Sequence, residues 1–318
     1  MDLREATVQA TLDLSYGTTE ATDVAIAWDV VGVPTFENRY PINMSTRGYV
    51  QPEGVMIAGF VLSGGSSAKT LLLRGVGPAL VAAPFNLSGT LSDPQVSLMS
   101  GGSQIDYNDN WSSSSNASTI ASTASAVGAF ALANPSADTA LLHSLSSGVY
   151  SMVMFGVSST DDGIGLVEIY DTDAANPNHL VNLSTRAYIG TGDNVVIAGF
   201  VINGSGNKYL LIRGVGPALA ASPFYMSGTI ANPQIRLYDS SNHQLRSNSA
   251  WGTDENYYNA DVSAEVAQIA SHVGAFSLAA GSHDSALLVS LPAGRYTVVM
   301  SGVNNGTGIG LIEVYEVN

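Results

Sequence analysis

Several residue types that support common functions are scarce in this chain of 318 residues. It contains no cysteine, which excludes disulfides and thiolate metal sites. Lysine and arginine number 11 against 26 acidic residues, and the formal charge of −15 argues against nucleic acid and anionic membrane surfaces as partners. The chain also lacks an apolar run of about eighteen residues, so we predict no membrane insertion.

What the chain does contain is typical of a β-protein with a substantial core. Hydrophobic residues make up 45% of the sequence and charged residues only 12%, a balance that argues against disorder. The 33 glycines, together with many Val, Thr, Tyr and Asn residues, favour short strands joined by tight turns.

One unit of sequence occurs twice in tandem, and the two copies together span nearly the whole chain after residue 40. Trp111 in the first copy aligns with Trp251 in the second. The other matched segments include STRG at 45–48 with STRA at 184–187, LRGVGPAL at 73–80 with IRGVGPAL at 212–219, and GIGLVEIY at 163–170 with GIGLIEVY at 308–315. Duplication predicts two units of the same fold.

The pattern within each copy predicts an all-β fold made of two tandem, jelly-roll-like β-sandwich domains with short helices. The second copy has apolar residues at helical spacing, at Val262, Val266, Ile269 and Val273, and the region 117–127 is its weaker equivalent. The predicted organisation is an N-terminal extension at 1–40, a first repeat at 41–171, a linker at 172–179 and a second repeat at 180–318.

The repeated motifs, including DTALL at 138–142 and DSALL at 284–288, resemble a β-rich repeat of large secreted bacterial proteins. That resemblance implies an extracellular module with no assigned catalytic activity. More distantly, PQIRLYD at 233–239 with the later tryptophan resembles jelly-roll domains appended to secreted peptidases. Both resemblances imply an accessory or structural role.

Charged residues that recur in both copies are conspicuous because charges are so few. Arg74 and Glu168 correspond to Arg213 and Glu313, and each lies in or next to an apolar strand. One interpretation is a pair of carboxylates for glycoside hydrolysis. We favour structural Arg–Glu ion pairs copied with the fold, since no histidine or nucleophile recurs beside them. We therefore predict that the chain is not an enzyme.

A single stretch before Trp111 has the composition of a metal site. Asp106, Asn108 and Asp109 supply oxygen ligands at short spacing, which suits calcium. The second copy has Arg246, Asn248 and Ser249 there, so the pattern is not repeated. A polar turn is the alternative interpretation, and we predict no other cofactor.

The N-terminal extension contains two stretches in which apolar and polar residues alternate, as in half-buried strands. Such strands either complete the first sandwich or are donated to a neighbouring subunit. Burying four apolar side chains gives up to ~6–12 kcal/mol, whereas ordering ten residues costs ~10–20 kcal/mol. Main-chain pairing with an existing sheet edge is therefore required. The predicted donor residues are Val8, Ala10, Leu12, Leu14, Val24, Ile26, Trp28 and Val30.

The leading hypothesis for function is a self-assembling structural protein, such as a filament or surface-layer subunit, whose partner is itself in a homopolymer. The alternative is a cell-surface glycan-binding or adhesive module, with Trp111, Trp251, Tyr257 and Tyr258 as aromatic candidates. A glycosidase ranks last. We expect an extracellular or cell-surface location. The start MDLRE does not resemble a secretory leader, so export would follow leader removal or use another route.

Overall fold

The computed structural model describes residues 41–173, 175–256 and 258–317. The all-β class with short helices is confirmed in this part of the chain. The strands of the first repeat are β1 (Pro41–Val50), β2 (Met56–Ser63), β3 (Lys69–Val76), β4 (Pro94–Ser100), β5 (Ser103–Asn108), β6 (Thr139–Leu145), β7 (Gly148–Gly156) and β8 (Gly163–Asp171). None of the described helices is long and apolar enough to cross a membrane.

The second repeat has its strands in the same order, but in two places a pair of consecutive strands is joined into one continuous strand. Its β10 corresponds to β2 plus β3, and its β15 corresponds to β6 plus β7. Its strands are β9 (His179–Ile189), β10 (Val196–Val215), β11 (Pro233–Asp239), β12 (Gln244–Asn248), β13 (Thr253–Asp254), β14 (Ala260–Asp261), β15 (Ser285–Gly302) and β16 (Gly308–Glu316).

Three helices occur in the described residues, α1 (Ala117–Ala126), α2 (Pro217–Ala220) and α3 (Ser263–His272). The helix predicted from the apolar spacing in the second repeat is confirmed as α3. Its first-repeat equivalent, α1, forms despite a run of Ser and Thr because Ile120 and Ala124 pack into the core beneath it. Tertiary packing thus supports a helix of weak intrinsic propensity.

The first strand of each repeat joins the two repeats together. Strand β1 pairs with β8 of its own repeat and with β10 of the other, where Ser45 lies opposite Gly199. Strand β9 pairs with β16 of its own repeat and with β2 of the other, where Ser184 lies opposite Gly59. The repeats therefore exchange their first strands reciprocally, about an approximate two-fold axis.

Two buried threonines mark this axis. Thr46 and Thr185 occupy the same position in their repeats, and their Oγ1 atoms are hydrogen-bonded at 2.9 Å. The facing glycines are required by the close approach of the exchanged strands. A Cβ on Gly59 would lie 2.6 Å from the Oγ of Ser184, and one on Gly199 would lie 2.8 Å from the Oγ of Ser45.

The exchange gives the repeats one shared hydrophobic core. Met44 and Phe60 of the first repeat belong to the same buried cluster as Leu183 and Phe200 of the second. Smaller clusters lie under the helices, around Trp111 in the first repeat and Trp251 in the second. Alternation of buried and half-buried residues along β2 and β9 directs one face of each into the shared core.

Candidate functional site

The structure brings together the charged residues that recur in the sequence. In the first repeat, the Nη2 of Arg74 lies 2.6 Å from the Oε2 of Glu168, and its Nε donates to the same oxygen at 2.8 Å. Arg74 Nη1 donates to the carbonyl of Phe130, whose ring lies 4.2 Å from the guanidinium carbon. The remaining carboxylate oxygen accepts a hydrogen bond from the Tyr170 hydroxyl at 2.6 Å.

The second repeat has the same arrangement around Arg213 and Glu313, with Phe276 and Tyr315 in the outer positions. Burial, followed by the neighbouring glutamate, raises the pKa of Tyr170 and of Tyr315 well above the usual range for a phenol. Both glutamates are buried, with both oxygens in use. This geometry suits a structural ion pair and leaves neither carboxylate available to a substrate.

A second network, also present in both repeats, holds the turn that follows β3 in the first repeat and the turn that follows β10 in the second. The Oδ1 of Asp138 accepts hydrogen bonds from the backbone of Gly77 at 2.9 Å and of Ala79 at 3.3 Å. Asp284 does the same for Gly216 and Ala218. The GVGP segment is thus fixed by a buried aspartate and has no vacant N–H cradle for a phosphate.

The predicted calcium residues do not converge on one point. The Oδ2 of Asp106 lies 2.7 Å from the Nδ1 of His143, and the Oδ1 of Asn108 accepts the backbone N–H of Ala140 at 3.0 Å. Asp109 accepts a hydrogen bond from the side chain of Asn110. Within the described ranges, no group of three or more His, Asp or Glu residues is placed to hold a metal ion.

Both tryptophans proposed as glycan contacts are core residues. Trp111 is 5% exposed and Trp251 is 6% exposed, and their indole N–H groups donate to the carbonyls of Ala133 and Ala279. Neither ring face is available for stacking on a sugar. Tyr258 is fully on the surface, whereas Tyr257 lies outside the described residues.

The two outermost strands of the repeats, β5 and β12, differ in what lies beside them. Five residues separate Trp111 from α1, whereas eleven separate Trp251 from α3. The additional residues form the β13–β14 hairpin, and Asn256 in its turn binds the backbone of Ser247 on β12. The Asn256 Nδ2 donates to the carbonyl at 2.9 Å, and its Oδ1 accepts the N–H at 3.1 Å.

Strand β5 has no such cover. Its equivalent residue, Tyr107, has its N–H bonded to the adjacent carboxylate of Asp106 at 2.8 Å. Within the described residues, no side chain donates a hydrogen bond to its carbonyl. Ile105 and Tyr107 are both exposed on this strand, and the Tyr107 hydroxyl donates to the Oε1 of Gln95 at 2.5 Å. Asp106 occupies only the N–H of Tyr107, whereas Asn256 occupies both backbone groups of Ser247. We call β5 the open edge and β12 the capped edge in this sense.

The predicted donor residues at positions 8–30 lie outside the described residues. Sequence reasoning missed three features that the structure reveals: the exchange of first strands, the capped edge and a polar cleft in the second repeat around Arg236. Two differences between the repeats were present in the sequence and correspond to these features. The second repeat has extra residues after Trp251, where the cap lies, and it has Arg236 where the first repeat has Ser97, at the cleft.

Comparison with known proteins leaves the family open. No family model matches the chain, and no curated protein does. Among solved structures, the tandem CBM51 modules of a family 98 glycoside hydrolase from Streptococcus pneumoniae align over 86% of this chain and 83% of theirs, at 8% identity and a TM-score of 0.23.

Two further structures align at similar levels. PNGF-II matches 87% of this chain and 57% of its own at 10% identity and a TM-score of 0.23. The PBCV-1 protein VP54, fitted into a reconstruction of the virophage Sputnik, matches 87% and 93% at 10% identity and a TM-score of 0.17. Scores this low carry no argument about fold or function.

Proposed function

We propose that this chain is a non-catalytic structural subunit that assembles with copies of itself outside the cell by donating a β-strand. The observation that carries the proposal is the contrast between the open edge at β5 and the capped edge at β12. A protein edge strand exposes unpaired N–H and C=O groups and is a template for another strand unless it is protected.

The cap on β12 mimics a paired strand. Asn256 supplies one donor and one acceptor to Ser247, which are the two bonds that a neighbouring residue in a sheet would make. With those groups occupied, a further strand cannot pair at Ser247. A device of this kind in one repeat and not in the other indicates that the two edges have different roles.

The sheet face beside β5 carries more apolar side chains in the first repeat than the corresponding face does in the second. Val149 on β7 is 70% exposed, and Val153 and Phe155 on the same face are half-buried. The second repeat carries Arg295 and Ser301 where the first has Val149 and Phe155. More apolar side chains on this face of the first repeat are what we expect if the face contacts another chain.

The occupant that we propose is the N-terminal segment of a neighbouring copy. The alternation of apolar and polar residues at 8–14 and 24–30 predicts strands with one apolar side, and such strands would need main-chain pairing to be ordered. The same chain already uses strand donation, because β1 and β9 each complete the sheet of the other repeat. Head-to-tail donation of this type produces an open polymer when the rotation between neighbouring copies does not close a ring.

The test compares assembly of matched variants by electron microscopy and sedimentation. Tyr107→Pro removes the outward-facing N–H of β5, and Ser247→Pro makes the same change on the capped β12. We expect full-length protein to form polymers, and we expect Tyr107→Pro and a chain lacking residues 1–40 to remain monomeric. Ser247→Pro should assemble as the parent does. The proposal would be refuted if the full-length protein stays monomeric at every salt concentration tested, or if both proline variants lose assembly to the same extent.

A further inference from the structure

The second repeat carries a polar cleft at one end of its outer sheet. The cleft has a volume of about 370 Å³ and lies between the turn at 190–195, after β9, and the turn at 303–305, after β15. Its polar lining comes from Thr191, from Gln234 and Arg236 on β11, from Ser301 on β15, and from Asn304 and Asn305. A cleft of this size is within the range of small-ligand sites.

Arg236 is the charged group of the cleft. Its Nη2 donates to the Oε1 of Gln234, and its Nη1 lies 3.5 Å from the Oγ of Ser301. No ion pair between Arg236 and a carboxylate occurs in the part of the chain that the structure describes. This cation therefore differs from Arg74 and Arg213, each of which is neutralised by a buried glutamate.

The fold does not require this chemistry, as the first repeat shows. Ser97 occupies the position of Arg236, and Phe155 that of Ser301, while Gln95 matches Gln234. Both repeats build the same strands with these different side chains. The guanidinium and the polar wall are thus specific to the second repeat and are not required to form this fold.

We infer that this cleft binds an acidic saccharide, with the carboxylate of a uronic acid on Arg236 and the ring hydroxyls on the amides of Gln234, Asn304 and Asn305. Arginine presents N–H groups in a fork that matches a carboxylate. Amide side chains both donate and accept hydrogen bonds, as sugar hydroxyls require. An acidic ligand would also supply the counter-charge that Arg236 does not receive from a carboxylate within the described residues.

The rim of the cleft supports a polar ligand as well. Asn304 and Asn305 have left-handed backbone conformations, with φ of 54° and 60°. Asparagine adopts this conformation more readily than other side-chain-bearing residues do. Both side chains are exposed at the mouth of the cleft, where an amide can reach a bound sugar.

The experiment is calorimetric titration of the full-length protein with trigalacturonate, with maltotriose and with acetate. Two variants each remove one positive charge from the same sheet face and install the residue of the first repeat. Arg236→Ser copies Ser97, and Arg295→Val copies Val149. Arg295 lies four residues from Val299, the partner of Arg236, or about 13 Å along β15.

We expect trigalacturonate to bind, and maltotriose and acetate to bind at least about tenfold more weakly, because each lacks half of the recognised chemistry. Arg236→Ser should weaken trigalacturonate binding by about tenfold or more, and Arg295→Val should leave it within about twofold. An absence of trigalacturonate binding, equal binding of maltotriose, or equal losses in the two variants would overturn the inference. Because these variants lie in the second repeat and β5 lies in the first, a negative result in this titration would leave the proposed assembly standing.

Discussion

Replacing Glu168 with glutamine tests how much the fold depends on its duplicated ion pairs. Glutamine keeps the shape of the side chain but offers one acceptor oxygen where Arg74 and Tyr170 now use two. If that oxygen faces Arg74, the amide N–H groups meet the Tyr170 hydroxyl, which must then act as an acceptor. In either orientation the guanidinium of Arg74, whose side chain is 1% exposed, loses its counter-charge.

Leaving such a charge buried and unpaired destabilises a protein by about 3–5 kcal/mol. With an m-value of about 3 kcal/mol per molar urea, the unfolding midpoint should fall by about 1–1.7 M. Urea unfolding followed by tryptophan fluorescence measures this shift, and Trp111 reports from the cluster next to Tyr170. The corresponding change of Glu313 should have a similar effect, since its contacts are the same.

Asp173→Asn is the matched control, because it removes one negative charge from an exposed position. It should alter the free energy of unfolding by no more than about 0.5 kcal/mol. If Glu168→Gln unfolds at the same urea concentration as this control, the buried pair does not stabilise the fold in the way described.

Two further predictions concern the shared core and its tyrosines. Gly59→Ala places a Cβ 2.6 Å from the Oγ of Ser184 and should destabilise by about 1–3 kcal/mol in urea unfolding. Combining it with Ser184→Ala should recover part of that loss, and a double variant no better than the single one would contradict the inter-repeat contact. The free energy of unfolding should fall at high pH because two tyrosines have raised pKa values. Burial and then Glu168 raise the pKa of Tyr170, and burial and then Glu265 raise the pKa of Tyr209 to about 12. In the unfolded chain, tyrosine hydroxyls ionise near pH 10. The stabilisation that comes from keeping both hydroxyls protonated in the folded protein is therefore complete below about pH 10, and it is lost as pH rises through the folded pKa. A urea midpoint that stays constant from about pH 8 to 11 would contradict it.

The sequence identified the class of fold and the elements with clear local signals. The pattern of short strands and turns predicted the all-β class, and helical spacing predicted α3. The charges of Arg74 and Glu168 stood out because charges are rare and these recur, and the structure places the two side chains in contact. Each of these inferences used either local periodicity or comparison of the two copies.

Strand exchange could not be predicted in this way. Periodicity indicates which face of β1 is buried, but it does not indicate whether the strand beside it comes from the same repeat. Its trace in the sequence is indirect: Gly59 and Gly199 recur, and so do Ser45 and Ser184. Only the structure shows that each glycine makes room for the serine of the other repeat.

The cap on β12 was also beyond sequence reasoning. The additional residues after Trp251 were visible, but an insertion can form any surface loop. Asn256 becomes meaningful once both of its hydrogen bonds to Ser247 are seen. Long-range side-chain to backbone contacts of this kind have no spacing rule from which they can be predicted.

Differences between the repeats therefore carry more functional information than their similarities. Positions shared by both copies, such as Arg74 with Arg213 and Asp138 with Asp284, are used by the same internal bonds in both. The open edge at β5 belongs to the first repeat, and the cleft at Arg236 belongs to the second. Because the proposed assembly and the proposed saccharide site lie on different repeats, a subunit could use both at once. A polymer of such subunits would present one saccharide site per chain, and many weak sites in a row would bind an acidic polysaccharide far more tightly than any single site.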